Sequence, residues 1–147
     1  MDSYEINKDT CALVTINDKI TKVVENQDDY FINKSSYEVM EDSCAYYGSS
    51  CEGRIKGTKN ILGSIYKVPI IIEETNDIIF FPTDSIKSQN CIWISLNQIE
   101  KFEKSGQYTK VYFKNGKDLF IKMSVNSFEM QVLRANRLSA IINQRKK

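Results

Sequence analysis

The chain has 147 residues and a formal net charge of +1, with 41% hydrophobic and 27% charged residues. This length and composition suit one domain with a buried core. They exclude a membrane-spanning helix, since no apolar run reaches the roughly 18 residues that one needs. The first residues, MDSYEINKDT, lack the basic and apolar regions of a secretory signal. We therefore expect a cytoplasmic protein with no membrane partner.

Charge is distributed unevenly along the chain. Residues 1–42 carry 10 acids and 4 bases, whereas residues 43–147 carry 9 acids and 16 bases. Two interpretations are open. The later part can supply a surface for a polyanion, or the two parts can attract each other within the fold or between subunits.

Short apolar runs separated by turn residues predict antiparallel strands along most of the chain. The runs are 11–16, 20–24, 29–32, 36–40, 67–72, 77–82, 91–96, 109–113 and 118–123. Those at 67–72 and 77–82 are almost continuously apolar, which is typical of strands buried on both faces. Asn115-Gly116, between the last two runs, is the strongest hairpin signal, because both positions of such a turn require a positive φ.

One helix is predicted, over residues 127–143. Asn126 followed by Glu129 resembles a capping box. Apolar residues then recur at spacings of three and four, which places them on one helical face. They are Phe128, Val132, Ala135, Leu138 and Ile142.

These elements predict a single α+β domain over residues 1–147 that is mainly β. About seven to nine antiparallel strands within residues 3–125 should form a closed or half-closed barrel or a sandwich. The amphipathic C-terminal helix should pack against it. A pleckstrin-homology-like layout satisfies this order of elements, by analogy alone.

Residues 46–59, YYGSSCEGRIKGTK, concentrate glycines, hydroxyls and bases. The glycines argue against a helix or strand interior, so we expect a loop. Such a loop can hold phosphates through amides, hydroxyls and cations, or it can be a solvated connection. Its candidate DNA contacts are Ser49, Ser50, Arg54, Lys56, Thr58 and Lys59. Arg54 is the leading candidate for insertion into a narrow minor groove.

The predicted helix is a second candidate for binding a polyanion. From Met130 to Lys147 there are five bases and no acid, and Arg134 and Arg137 lie off the apolar stripe. Cations near a helix C-terminus also stabilise the helix itself, which is the alternative role. Four further lysines decorate the Asn-Gly hairpin, either as a solvated strand face or as part of a DNA track: Lys110, Lys114, Lys117 and Lys122.

Site chemistry for catalysis is weak in this sequence. The chain contains no histidine, the commonest general acid or base. Gly48 and Gly53 have the spacing of a phosphate-binding P-loop, but Arg54 and Ile55 replace its lysine and hydroxyl. The four cysteines show no metal-type CxxC spacing and are expected to be free and mostly buried. We therefore expect neither an enzyme nor a cofactor.

The sequence resembles the competence transcription factor family, the ComK-like proteins of low-G+C Gram-positive bacteria. The matching stretches occur in order over residues 3–138: SYEIN, SCAYYGSSCEGRIKGT, PIII, IIFFPT, CIWIS, VYFKNGK and SVNSFEMQVLRA. The most specific of these patterns are GSSxxGRxxGT at residues 48–58 and NSFExQVxRA at residues 126–135.

The resemblance implies a regulator that activates genes for DNA uptake. Such proteins bind paired A/T-rich boxes in double-stranded DNA through the minor groove, as homodimers that assemble into tetramers, and they act with the transcription machinery. The resemblance also implies a C-terminal tail for adaptor-mediated proteolysis, which we expect this chain to lack because it ends at Lys147.

Two alternatives to a DNA-binding activator stay open at this point. The first is a pleckstrin-homology-like module for a lipid headgroup, a peptide or a protein partner. The second is a protein that associates with a longer homologue and modulates it without contacting DNA.

Overall fold

The apolar runs of the sequence form two antiparallel sheets. Within residues 1–63 and 65–146, which the computed structural model describes, there are nine strands and three α-helices. The strands are β1 (Thr10–Asn17), β2 (Ile20–Glu25), β3 (Asp29–Ile32), β4 (Ile70–Glu73), β5 (Ile78–Pro82), β6 (Ile92–Ser95), β7 (Ile99–Ser105), β8 (Tyr108–Phe113) and β9 (Asp118–Ile121). The helices are α1 (Ser36–Tyr46), α2 (Cys51–Leu62) and α3 (Val125–Arg145).

The larger sheet is the middle layer of the molecule. Its six strands pair in the order β3-β2-β1-β6-β5-β4, and the smaller sheet has the order β7-β8-β9. Side chains of the larger sheet alternate between its two faces. On one face, Phe80 and Trp93 pack with α1 and the N-terminal segment. On the other face, Phe81 and Ile94 pack with the smaller sheet and α3.

This architecture confirms a mainly β, α+β class with a C-terminal helix packed on the sheets. Of the expected arrangements, the barrel is not formed, because β3 and β4 lie at opposite ends of the larger sheet. Burial of the strands on both faces is also confirmed. Ile70 and Ile72 of β4 pack on one side of the sheet, and Ile71 packs on the other.

Residues 36–40 were predicted to be a strand, and this prediction is wrong, since they begin α1. The Ser35 hydroxyl accepts a hydrogen bond from the Glu38 amide, and the Glu38 carboxylate accepts one from the Ser35 amide, each at 3.2 Å. This capping box is a helix-start signature that outweighs the short apolar alternation. Met40 and Cys44, four residues apart on one helix face, are fully buried against the sheet.

The loop predicted over residues 46–59 is also wrong, because residues 51–62 form α2. Ser50 is the N-cap, and its hydroxyl accepts a hydrogen bond from the Gly53 amide at 3.0 Å. A Cβ at residue 53 would lie 3.0 Å from the Ser50 hydroxyl oxygen. Gly53 therefore allows a close cap contact within a helix rather than a break in it.

Smaller differences concern β7, the Asn-Gly hairpin and α3. Strand β7 was not predicted, because only Ile99, Phe102 and Ser105 of this strand are partly covered, and its other residues are exposed and charged.

The predicted hairpin joins β8 and β9, but of its two central residues only Gly116 has a positive φ, at +92°. Helix α3 begins two residues earlier than predicted and ends two residues later, and its N-cap is Ser124 instead of Asn126.

Phe128 of α3 connects the helix to both sheets. Its ring lies 5.5 Å from that of Phe81 and 5.0 Å from that of Phe102, both edge to face. Phe128→Ala should therefore lower the free energy of unfolding by about 3–5 kcal/mol, because it opens a cavity in the core. Urea denaturation measures this change. Leu133→Ala on the same helix is the control and should shift stability by less than about 0.5 kcal/mol, since Leu133 is 55% exposed.

Candidate nucleic-acid interface

A four-residue corner, Tyr47 to Ser50, places α2 directly after α1. Gly48 has a φ of +84°, its amide donates to the Ala45 carbonyl at 2.9 Å, and the Ser49 amide donates to the Cys44 carbonyl at 2.8 Å. These two bonds form a Schellman motif, which requires a left-handed residue at Gly48. The next residue, Ser50, caps α2. The glycine and serines of this stretch thus end one helix and start another.

Helix α2 is anchored along the edge strand β4 by its buried side. Thr58 is 2% exposed, and its hydroxyl donates to the Pro69 carbonyl at 3.1 Å. Lys56 and Lys59 lie three residues apart and are both exposed, so they project from one flank of the helix. The anchoring of Thr58 fixes the position of these two lysines.

Arg54 lies on another flank of α2 and faces the β4–β5 turn. Its Nη1 is 3.0 Å from Oε1 of Glu74, and its side chain is 21% exposed. Lys146, which follows α3, donates to the Glu74 carbonyl at 2.6 Å. Arg54 is therefore part of a contact between α2, this turn and the end of α3.

The segment after α2 is held against α3 by Gln131. The Gln131 amide donates to the carbonyls of Lys67 at 2.8 Å and Pro82 at 2.9 Å. Arg134 adds a 3.2 Å bond to the Gln131 carbonyl oxygen. Lys67 has a φ of +55°, and this less favoured backbone is stabilised by these contacts. Tyr66, beside it, is 90% exposed.

Three adjoining clefts run from α3 past this segment to α2 and on to Tyr37 of α1, and we call them together the basic groove. Tyr66 and Lys67 are shared by the first and second clefts, and Ile55 and Lys59 by the second and third. The described lining includes four bases and one acid, namely Lys56, Lys59, Lys67 and Arg134 with Glu52. A concave surface with this excess of positive charge attracts anions.

The eight predicted contact residues fall into two groups in the structure. Lys56, Lys59 and Arg134 line the basic groove, and Arg137 is exposed one turn further along α3. The other four are engaged in local structure: Ser49, Ser50, Arg54 and Thr58. DNA contact by any of the eight stays a prediction.

Tyr66, Lys67 and Gln131 were missed as site residues. The sequence did contain a sign of Gln131. It is a polar residue three positions after Phe128, on the apolar side of the helix, and it belongs to the NSFExQVxRA motif. Tyr66 and Lys67 left none, because their position depends on a hydrogen bond to a helix 64 residues away.

Two of the four hairpin lysines, Lys110 and Lys117, are engaged in contacts within the fold. Lys117 Nζ is 3.0 Å from Asp29 Oδ1 and donates to the Glu25 carbonyl at 2.7 Å. The Lys110 ammonium lies over the rings of Tyr112 and Phe120, 5.1 Å and 5.3 Å from their centroids. The hairpin is thus fastened to β2 and β3 at its tip.

The expectation that the four cysteines are free and buried is confirmed. In the described part of the chain, no helix combines the length and the apolar character that crossing a membrane requires.

Comparison with known proteins identifies the family. The model of the ComK protein family matches residues 1–147. The competence transcription factor of Bacillus subtilis (strain 168) is 36% identical over 139 residues, which are 91% of this chain and 72% of that protein. No solved structure matches the chain. The chain belongs to the ComK family, as its motifs suggest.

The role of Thr58 can be tested through folding. Thr58→Val keeps the shape of the side chain but leaves the Pro69 carbonyl without its hydrogen bond, so it should lower the free energy of unfolding by about 1–2 kcal/mol. Chemical denaturation measures the change. Thr75→Val is the control, because Thr75 is exposed in the β4–β5 turn. Equal stability of the two variants would contradict an anchoring role for Thr58.

Proposed function

We propose that this protein is a transcription factor for competence that binds double-stranded DNA through the basic groove. The observation that carries the proposal is the groove itself, where cations from α2, α3 and the intervening segment line three adjoining clefts. Membership of the ComK family supports it, as does the name of the Bacillus subtilis relative.

The groove residues suit contacts with the phosphate backbone. Lys56 and Lys59 are neighbours on an exposed helix flank, so both can reach phosphates of one strand. Tyr66 is exposed beside them and can lie against a sugar or the floor of a groove. Arg134 and Arg137 extend the positive surface along α3.

The DNA target we propose is a pair of A/T-rich boxes contacted in the minor groove. The minor groove distinguishes A·T from G·C pairs by width and by a degenerate pattern of hydrogen-bonding groups. Its narrow A/T form concentrates negative potential, which flexible lysine and arginine side chains can use. Paired boxes further imply a homodimer or a dimer of dimers, which works in the cytoplasm with the transcription machinery.

Arg54 has a secondary place in this proposal. To enter a DNA groove it would have to leave Glu74, to which its guanidinium is paired at 3.0 Å. Lys56 and Lys59 need no such rearrangement, because both already project into solvent. The proposed activity is binding rather than catalysis, in keeping with a chain that contains no histidine.

The lysines of α2 provide the main test. The double variant Lys56→Ala with Lys59→Ala should weaken binding to an A/T-box duplex at least about tenfold. It should also reduce the slope of log affinity against log salt by about two, because two phosphate contacts are lost. Fluorescence anisotropy across a salt series, with an A/T duplex and a G/C-substituted duplex of equal length, measures both quantities.

A matched control removes two charges from the smaller sheet. Lys104 and Lys122 are exposed in β7 and just after β9, so Lys104→Ala with Lys122→Ala changes the net charge equally. This variant should bind nearly as well as the wild type. If it is the one that loses affinity, the smaller sheet is the interface. If the wild type binds anionic vesicles but shows no preference between the duplexes, the protein recognises lipid headgroups instead.

A further inference from the structure

Two cysteines meet at the corner between α1 and α2. The Sγ atoms of Cys44 and Cys51 are 3.6 Å apart, and either thiol can donate to the other. Cys44 is in the last turn of α1, and Cys51 is the first residue of α2. The Schellman turn at Gly48 reverses the chain between them, so their proximity is built into the backbone.

The pair is chemically distinct from the other two thiols of the chain. Burial raises the pKa of Cys11 and that of Cys91 to about 11. At Cys44, the hydrogen bond from the Cys51 thiol lowers the pKa below its ordinary value; burial opposes this shift and the charge of Arg54 adds to it. The pKa of Cys51 is raised, mainly because its proton is held in that bond. One thiol of the pair can thus donate to the other sulfur and stabilise it as a thiolate.

Arg54 is placed to support a thiolate at this corner. It follows Cys51 by three residues, so the two side chains lie on neighbouring positions of α2. Its Nε is buried and has no hydrogen-bond partner among the described residues. A guanidinium in this position favours the charged form of a nearby sulfur.

We propose that Cys44 and Cys51 are a site of oxidation, at which a peroxide converts the dithiol into an intramolecular disulfide. The sulfurs must approach from 3.6 Å to about 2.05 Å. Since both side chains are at most 2% exposed, the peroxide reaches them through local opening of the corner.

The reaction balances with a peroxide as the only co-reactant. The thiolate of the pair attacks a peroxide oxygen, the O–O bond breaks, and the products are a sulfenic acid and hydroxide, which becomes water by taking up the proton that this thiol released. The second cysteine sulfur then attacks the sulfenic sulfur, forming the S–S bond. The sulfenic hydroxyl leaves as water and takes the proton of the second thiol. Two thiols are oxidised by one electron each, and one hydrogen peroxide is reduced to two waters.

Disulfide formation would change the basic groove by moving α2. The disulfide would draw the first turn of α2 towards α1, and the same helix carries Lys56 and Lys59 one to two turns later. Lys59 would then shift relative to Lys67, which lines the same cleft. This consequence for DNA binding rests on the proposed function, whereas disulfide formation does not depend on it.

Thiol mapping of the full chain tests the modification. The reduced protein is treated with hydrogen peroxide, its remaining thiols are alkylated, and its peptides are analysed by mass spectrometry. The expected result is loss of two thiols per chain, with a Cys44–Cys51 cross-link forming at least about tenfold faster than oxidation of Cys11 or Cys91. Equal oxidation of all four cysteines, or cross-links between chains only, would overturn the proposal.

Variants separate the pair from general thiol oxidation. Cys51→Ser should abolish the cross-link, whereas Cys91→Ser should leave its rate unchanged, because Cys91 is equally buried but lacks a cysteine neighbour among the described residues. If Cys51→Ser does not fold, the wild-type peptide map alone decides the question.

DNA affinity of the reduced and oxidised forms tests the link to the groove. The oxidised protein should bind the A/T-box duplex at least about threefold more weakly, and dithiothreitol should restore binding. A cross-linked protein with unchanged affinity would overturn the link. A reduced protein that does not prefer A/T DNA would instead count against the proposed function.

Discussion

Burial of the larger sheet on both faces is the constraint on which the rest of the structure depends. In β5, Phe80 faces the α1 layer and Phe81 faces the α3 layer. Helix α2 runs along the edge strand β4 and bridges the two layers, since Ile55 packs with one cluster and Leu62 with the other. Because both layers hold α2, the lysines on its outer flank have a defined position opposite Lys67 and α3.

The glycine- and serine-rich corner shows why residue types alone do not identify a phosphate site. Amides and hydroxyls that can bind an anion are the same groups that satisfy the ends of helices. Ser50 uses its hydroxyl to cap α2, and Gly48 uses its positive φ to end α1. What these residues contribute to a binding surface is indirect: they set the direction in which α2 presents Lys56 and Lys59.

Most strands were predictable because their residues are apolar on one or both faces of a sheet, and residues 78–82 are apolar and buried throughout. Helix α3 was predictable for the same reason, with a different period. Helices α1 and α2 were not predicted. Residues 36–40 were assigned to a strand because the capping role of Ser35 was overlooked, and the glycines of α2 suggested that no helix could form there. The basic groove could not be predicted, since Lys67 is placed near Arg134 by tertiary hydrogen bonds from Gln131 and Arg134.

The uneven charge of the sequence is resolved in two ways at once. Part of it is neutralised inside the fold, where Lys117 pairs with Asp29 across the two parts of the chain. Arg54 is also paired, with Glu74 of the same part. A paired cation projects a weaker field, and moving it to a phosphate sacrifices an existing interaction. The groove lysines are exposed and face one acid, Glu52, so their charge is available to replace counterions on a DNA backbone. In the proposed interface the attraction for DNA therefore comes from these lysines, whereas Arg54 supports the corner between α1 and α2.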